Sequence, residues 1–278
     1  MHARHRYAVI TACATFLLLI AGGLVTSTDS GLAVPDWPLS YGTWFPPMVG
    51  GIFYEHGHRM IAATVGLLIL ILAVWFGRSE PRRWVRRLAY AALGAVILQG
   101  LLGGLTVLLL LPPAVSILHA CLGQTVFCLV VSLAVCTSPH WVQGTTDANR
   151  PSHLRRLGPL VAVVAYGQLV LGAVVRHTGL ALLPHMATAA VLVALVLLLA
   201  QQSLQHPTAP AVLRAGSWRL LLLVVGQAAL GLTVLAHRSR VDVRTGHVAL
   251  GALVLAQAVV LVWEIFRRPS AGSLGASG

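Results

Sequence analysis

Apolar stretches of roughly 20 residues recur along the whole chain, each long enough to cross a bilayer core. Short segments rich in arginine, glycine and proline separate them. The pattern predicts spans near residues 7–26, 58–77, 88–111, 114–137, 157–175, 184–204, 218–236 and 246–266. Nothing is left over for a separate soluble domain. The expected fold class is therefore all-α integral membrane, with eight transmembrane helices. One connection is long: Ser27 to Gly57 runs to about 30 residues, while its counterpart around His177–Leu183 is short. It carries Trp37, Tyr41, Trp44, Phe45, Phe53 and Tyr54, which suit a membrane surface or a cap over a site.

The polar interruptions also repeat. Gln99-Gly-Leu-Leu-Gly103-Gly-Leu-Thr-Val-Leu108 resembles Gln227-Ala-Ala-Leu-Gly231-Leu-Thr-Val-Leu235, and His119-Ala-Cys-Leu-Gly123 resembles His247-Val-Ala-Leu-Gly251. Both matches stand at an offset of 128 residues, and His58 precedes His185 by 127. Gly22–Ala33 resembles Gly172–Ala181 less closely. Two duplicated four-helix bundles are expected, residues 1–137 and 157–278, joined by a polar linker at 138–156. Four spans per half make both copies enter the membrane from one side, as parallel repeats about an axis along the membrane normal.

Composition adds orientation. The 278 residues are 57% hydrophobic and 9% charged, with a net charge of +12 carried by arginine alone. With both termini cytoplasmic, Arg4, Arg6, Arg78, Arg82, Arg83, Arg86, Arg87, Arg150, Arg155, Arg156, Arg214, Arg219, Arg267 and Arg268 face inward. Only Arg59, Arg176, Arg238, Arg240 and Arg244 then face outward, which follows the positive-inside rule. The charge is topological, and nucleic-acid binding is excluded. The first span follows a basic segment like that of a signal peptide, but its length favours a retained helix. Cys13, Cys121, Cys128 and Cys136 lie inside spans, where cysteine acts as a small hydrophobe.

Twelve histidines are the main chemistry-bearing residues. His2, His5, His140, His153 and His206 fall in or near the cytoplasmic segments. The outer half holds His56, His58, His119, His177, His185, His237 and His247. Of these, His58, His119, His185 and His247 stand within about two turns of the outer ends of the four even-numbered spans. Imidazole binds metal in its neutral form, and a helix N-terminus disfavours the imidazolium. Two histidines per half suit a planar haem held from both faces better than a zinc or copper site whose ligands converge on one point. Ala62, Gly123, Ala189 and Gly251, one turn beyond the histidines, would let a porphyrin approach the backbone. Outer arginines, Arg59 and Arg176 foremost, could pair with propionates or with lipid phosphate.

Glu55 breaks the symmetry, because the position matching it before His185 is Leu182. A carboxylate beside one histidine pair alone suggests that one half performs chemistry and the other supports it. Glu55 could equally cap the second helix or pair with Arg59.

Taken together, Gly22-Gly-Leu-Val-Thr-Ser-Thr-Asp-Ser-Gly-Leu-Ala33, Pro35-Asp-Trp-Pro-Leu-Ser-Tyr41, Glu55-x-x-His58-Arg59, Gln99-Gly-Leu-Leu-Gly-Gly-Leu-Thr106, His119 and His247 resemble the haem A synthase family, over nearly the whole chain. The resemblance implies an oxidoreductase in a bacterial inner membrane that oxidises the C8 methyl of haem O to a formyl group, giving haem A. It implies that His58 and His119 flank the substrate haem, that His185 and His247 hold an electron-passing haem b, and that Glu55 is the catalytic acid. An upstream haem O synthase and a downstream terminal oxidase are implied as partners, along with an electron donor that the sequence does not identify. His56 competes with His58 as the ligand, and the Glu-x-x-His-Arg spacing favours His58. Many bacterial relatives carry a cysteine pair in the first outer loop. Here the flanking positions are Val34 and Ser40, so that disulfide is absent.

Two other functions use the same features. A dihaem b-type protein exchanging electrons with quinone would use the four histidines but needs neither Glu55 nor the long loop, and would leave added haem O unchanged. A transporter would suit internal repeats, but the ionisable groups crowd the outer rim rather than mid-membrane.

Overall fold

The computed structural model describes residues 2–144, 152–205 and 210–267. Arg150, His206 and Arg268 lie outside the described residues. Among the described residues eight helices are long and apolar enough to cross a membrane: α1 (His2–Ser27), α2 (Gly50–Ser79), α3 (Arg83–Leu108), α4 (Pro113–Thr137), α6 (Ser152–Thr178), α7 (Leu182–Gln205), α8 (Ala211–Ala236) and α9 (Val241–Phe266). A single turn, α5 (Pro139–Val142), follows α4, its entry capped by Ser138, whose Oγ accepts from the Trp141 N–H at 3.1 Å. Among the described residues there is no strand, only an isolated bridge between Ser40 and Thr43. This is an all-α, eight-span membrane fold.

All eight spans stand where the hydropathy pattern puts them, with shifted ends. α2 starts at Gly50, eight residues before the apolar run, because the polar segment Glu55–Arg59 is helical as well; only residues 28–49 remain as loop. α3 stops at Leu108 rather than 111. Leu110 and Leu111 take positive φ (58° and 59°), and their N–H groups return to the carbonyls of Val107 and Thr106. Such a left-handed end satisfies helix carbonyls that would otherwise be orphaned, and Pro112-Pro113 prevents continuation.

Helix neighbours form two rings: α1–α2–α3–α4 closes through α1·α4, and α6–α7–α8–α9 closes through α6·α9. The rings meet where α1 packs on α9, α4 on α6 and α4 on α9. Exchanging α1 with α6, α2 with α7, α3 with α8 and α4 with α9 maps this set of neighbours onto itself. Each ring has its own apolar core. One is built on Val65, Ile69, Leu72, Phe76, Val130 and Leu133, the other on Leu157, Val196, Leu199, Leu220, Leu255 and Leu261. A small third cluster, Phe127, Ala252 and Ala256 with Phe16 and Leu19 against it, joins them. α4 and α9 are accordingly the central helices, 61% and 44% buried over their apolar windows, against 17% or less for α3, α7 and α8. The outer helices keep leucines such as Leu67, Leu98, Leu197 and Leu222 exposed, as a lipid-facing surface requires.

α1, α3, α6 and α8 all finish at one end of the bundle, where α2, α4, α7 and α9 begin. This is the histidine end. At the opposite, arginine-rich end, Glu80 lies between α2 and α3. It pairs with Arg82 at 2.6 Å and Arg4 at 3.2 Å, while Arg82 also donates to the Cys136 carbonyl at 2.9 Å. One acidic residue thereby ties together the ends of α1, α2, α3 and α4. At the same end Arg267, just after α9, donates to the His140 and Gly144 carbonyls and lies 3.8 Å from Glu264, which ties the second ring to the segment that follows α4.

Candidate functional site

At the histidine end the same contact is built four times. His58, His119, His185 and His247 each lean the Cε1 edge of the ring onto a glycine of the preceding long helix: Gly22, Gly103, Gly172 and Gly231. A Cβ at these glycines would lie 3.1, 3.1, 3.0 and 3.1 Å from Cε1, tighter than ordinary packing, so only glycine leaves the ring undisturbed. Each residue is half-buried, and among the described residues each Nδ1 is buried with no hydrogen bond of ordinary geometry.

Three of the four rings have a glutamine beside Nε2. Gln99 Nε2 lies 3.3 Å from His119 Nε2, Gln168 lies 3.4 Å from His185, and Gln227 lies 3.4 Å from His247. Each glutamine sits one turn before the glycine that receives the ring, so the element is Gln-x-x-x-Gly on α3, α6 and α8. The matching position on α1 is Leu18, and among the described residues neither ring nitrogen of His58 is hydrogen bonded. Oε1 of Gln99, Gln168 and Gln227 is buried and unpartnered as well.

The histidines come together in pairs. His185 and His247 have ring centroids 6.5 Å apart at 76°. His58 and His119 are close enough to interact electrostatically. Among the described residues no three His, Cys, Asp or Glu side chains converge as a metal-binding group. The residues fit a haem on this ground. Two imidazoles on opposite faces of one iron, with metal–nitrogen bonds of about 2 Å, would have centroids about 6 Å apart. Buried ring nitrogens and amide oxygens without protein partners mark a site that protein atoms alone do not complete.

Among the described residues only the first pair has a cover. Glu55, His56, His58 and Arg59 all lie in the first turns of α2, and loop 28–49 is pinned onto them. Arg59 donates through Nη1 to the carbonyls of Asp36 (2.7 Å) and Leu39 (2.8 Å), and through Nη2 to Glu55 Oε1 at 2.7 Å. Glu55 Oε2 accepts from the Val34 N–H at 2.8 Å. His56 Nδ1 bonds Ser40 Oγ at 2.8 Å, which separates its role from that of His58. Val34 and Ser40, the two positions that flank Pro-Asp-Trp-Pro-Leu, are thus wired directly to the Glu-x-x-His-Arg element. Asp36 closes the loop on itself by accepting from the N–H groups of Gly42 (2.8 Å) and Tyr41 (2.6 Å). The Gly42 N–H foremost, with help from Tyr41 and Arg59, outweighs desolvation and holds the Asp36 carboxyl below its ordinary value. Trp37 lays its indole on α3 at Gly104, where a Cβ would fall 2.7 Å from the ring. That position is next to the glycine that seats His119.

Several expectations change here. Arg59 commits both Nη groups to the loop and Glu55, which leaves it a clamp rather than a free propionate partner. Arg176 is half-buried and donates from Nη2 to Gly23 O (3.0 Å) and Ser27 Oγ (2.8 Å), joined there by Arg244 and Thr245. These groups serve the carbonyl-rich end of α1. Glu55 pairs with Arg59 and does not cap α2, whose N-cap is Val49 without a side-chain bond. Gly123 and Gly251 make room for glutamine rather than porphyrin: a Cβ at either would lie 3.1 Å from Gln99 or Gln227 Nε2. The glutamines and the four ring-seating glycines were missed as site residues, although Gln-x-x-x-Gly occurs three times in the sequence at 99–103, 168–172 and 227–231.

Comparison with known proteins gives a consistent picture. Residues 49–188 match the model of the COX15-CtaA family, described as cytochrome oxidase assembly protein. Among curated relatives, the Heme A synthase of Symbiobacterium thermophilum is 34% identical over 190 residues, 64% of this chain and 61% of that protein. The Heme A synthase of Alkalihalophilus pseudofirmus is 31% identical over 183 residues, with the same two shares of 64% and 61%. That of Shouchella clausii is 27% identical over 302 residues, 94% of this chain and 97% of the relative. The first two matches span about 61% of those relatives' length.

Proposed function

This chain belongs to the COX15-CtaA family of cytochrome oxidase assembly proteins, and from that premise we propose that it is a haem A synthase, oxidising the C8 methyl of haem O to a formyl group. The observation that carries the reading is the asymmetry of a repeated site. Four histidines are seated alike in two pairs, and among the described residues only the first pair lies beside a loop clamped to a carboxylate. A pure electron carrier needs no such cover.

In this reading residues 1–137 form the catalytic half, residues 138–156 a linker, and residues 157–278 the half that holds haem b. The exchange symmetry of helix neighbours supports a duplicated origin. His58 and His119 hold the substrate haem, and His185 and His247 hold the haem b. The haems, when bound, would supply the redox chemistry, with the second half passing electrons between the first site and a redox partner. The protein's share is positional. Loop 28–49 and the Trp37 indole shield the first site from water. Glu55 stands one turn from His58 on the same face of α2, between Arg59 and the Val34 N–H. From there its carboxylate takes up a proton or offsets positive charge developing at the oxidised carbon. Arg176, with donors beyond those spent on α1, is the candidate for a propionate. The histidine end faces outward and both termini face the cytoplasm, a reading the arginine distribution supports, in a bacterial inner membrane. Haem O synthase upstream and a terminal oxidase downstream complete the sequence of reactions.

The test is haem extraction and chromatography after producing the native chain with and without a haem O synthase, beside a Glu55→Ala variant. Haem A from the native chain, with haem O persisting in the variant, is the expected result. Haem b alone, despite haem O supply and an electron donor, would instead favour the dihaem electron-transfer protein.

A further inference from the structure

Two arginines stand in matching places around the second histidine pair. Arg176 follows Gly172, which seats His185, by one turn of α6, and Arg244 precedes His247 by one turn of α9. At these spacings each arginine shares a helix face with the residue that builds the site. Since α6 ends and α9 begins at the histidine end, both lie on its outer side. The two guanidiniums converge on the buried Ser27: Arg176 Nη2 donates to its Oγ at 2.8 Å and Arg244 Nη1 to its carbonyl at 3.3 Å. They are close enough to repel each other, and Arg176 is close enough to act on His247. Among the described residues neither forms an ion pair, and the exposed Asp29 attracts Arg176 only from beyond that distance. The end of α1 occupies Arg176 Nη2 and Arg244 Nη1. Nη1 and Nε of Arg176, and Nη2 and Nε of Arg244, have no acceptor among the described residues. Two half-buried like charges held together in this way are costly, and the N-terminus of α9 adds to the positive potential. An anion would relieve both.

We propose that Arg176 and Arg244 together form a carboxylate clamp beside the second histidine pair, gripping a propionate of the haem b placed there. Guanidinium presents paired N–H donors that match a carboxylate. The inference rests on the haem-binding reading above and deepens it. The same two places in the first half are neutral: Thr26 follows Gly22 by four residues, and Ser116 precedes His119 by three. Thr26 donates back to the Gly22 carbonyl at 3.3 Å, and Ser116 Oγ is buried with no partner among the described residues. The second site thus holds its haem through charge as well as iron. The first site has no cation in either place, which suits a substrate haem that has to leave.

The experiment uses haem-free, full-length protein carrying His119→Ala, so that only the second site loads. It is titrated with haem b and with haem b dimethyl ester, which keeps the ring and the iron but lacks the two negative charges. Binding is followed by absorbance. Haem b should bind about 100-fold more tightly than the ester. Arg176→Gln and Arg244→Gln should each weaken haem b by about tenfold and leave the ester unaffected, so that the double variant no longer tells the two apart. The ester serves as the control for an intact fold, because it reports on the histidine pair without the clamp.

Equal affinity for haem b and the ester with both arginines in place would overturn the proposal and leave them to the end of α1 and to lipid phosphate. So would glutamine variants that lose haem b and the ester in equal measure, the outcome a purely structural role predicts. A His119→Ala chain that binds neither porphyrin would overturn the assignment of haem b to the second half before this inference is reached.

Discussion

Arg59 fans its two terminal nitrogens over the carbonyls of Asp36 and Leu39 and over Glu55, and so fastens loop 28–49 to the helix that carries His58. Charged hydrogen bonds of this kind contribute about 1.5–3 kcal/mol each. Replacing Arg59 with leucine should free the loop, and limited proteolysis should then cut between Val34 and Val49 many times faster than in native protein. An unchanged cleavage rate would show that the loop is held by something else. Glycine seats make a second prediction. Gly231→Ala would press a methyl group against the His247 ring at 3.1 Å, and the purified variant should carry less than half the native haem b while keeping first-half haem. The four histidines and Glu55 were legible from the sequence, because an ionisable group in an apolar run stands out. The work of Arg59 was not. Its partners are backbone carbonyls some 20 residues away, and a carbonyl has no signature in a sequence.

Helices were legible as runs of apolar residues, but their ends were not, since hydropathy says where lipid is and not where hydrogen bonding stops. α2 reaches back to Gly50 through a polar turn, and α3 ends three residues early on the left-handed pair Leu110 and Leu111. The Glu80 knot shows what joins these elements at the arginine-rich end. Burial alone would raise the Glu80 carboxyl, but the Arg82 and Arg4 guanidiniums outweigh it and hold the group below its ordinary value. A carboxylate with a depressed folded-state value contributes stability that is present above the unfolded value of about 4.5 and is lost as pH falls through the lower folded one. Glu80→Gln should therefore lower the thermal midpoint at neutral pH, by an amount equivalent to about 2 kcal/mol, since the half-buried Arg82 and Arg4 lose a charged hydrogen-bond partner. As pH falls through the lower folded-state value the native midpoint should drop toward that of the variant. Parallel midpoints across the whole acid range would remove Glu80 from the account of how α1 to α4 are tied.

At the scale of the whole molecule, two rings of four helices share one plan and differ where chemistry is asked of them. The repeat was visible in Gln99 and Gln227 and in His119 and His247, whose common offset survives divergence. The exchange of neighbours across α4 and α9 was not, because no sequence pattern says which apolar faces meet. The loop, Glu55 and Leu18 all belong to the first ring, and the second ring has a full complement of glutamines. On the proposed function, these structurally similar sites hold different haems. Haem typing of purified His119→Ala and His185→Ala variants, each produced with a haem O synthase, tests this most directly. His119→Ala should retain haem b and lack haem O and haem A, whereas His185→Ala should lack haem b and retain unconverted haem O. If both variants lose the same haem in equal measure, the two halves do not divide the work, and the central claim is wrong.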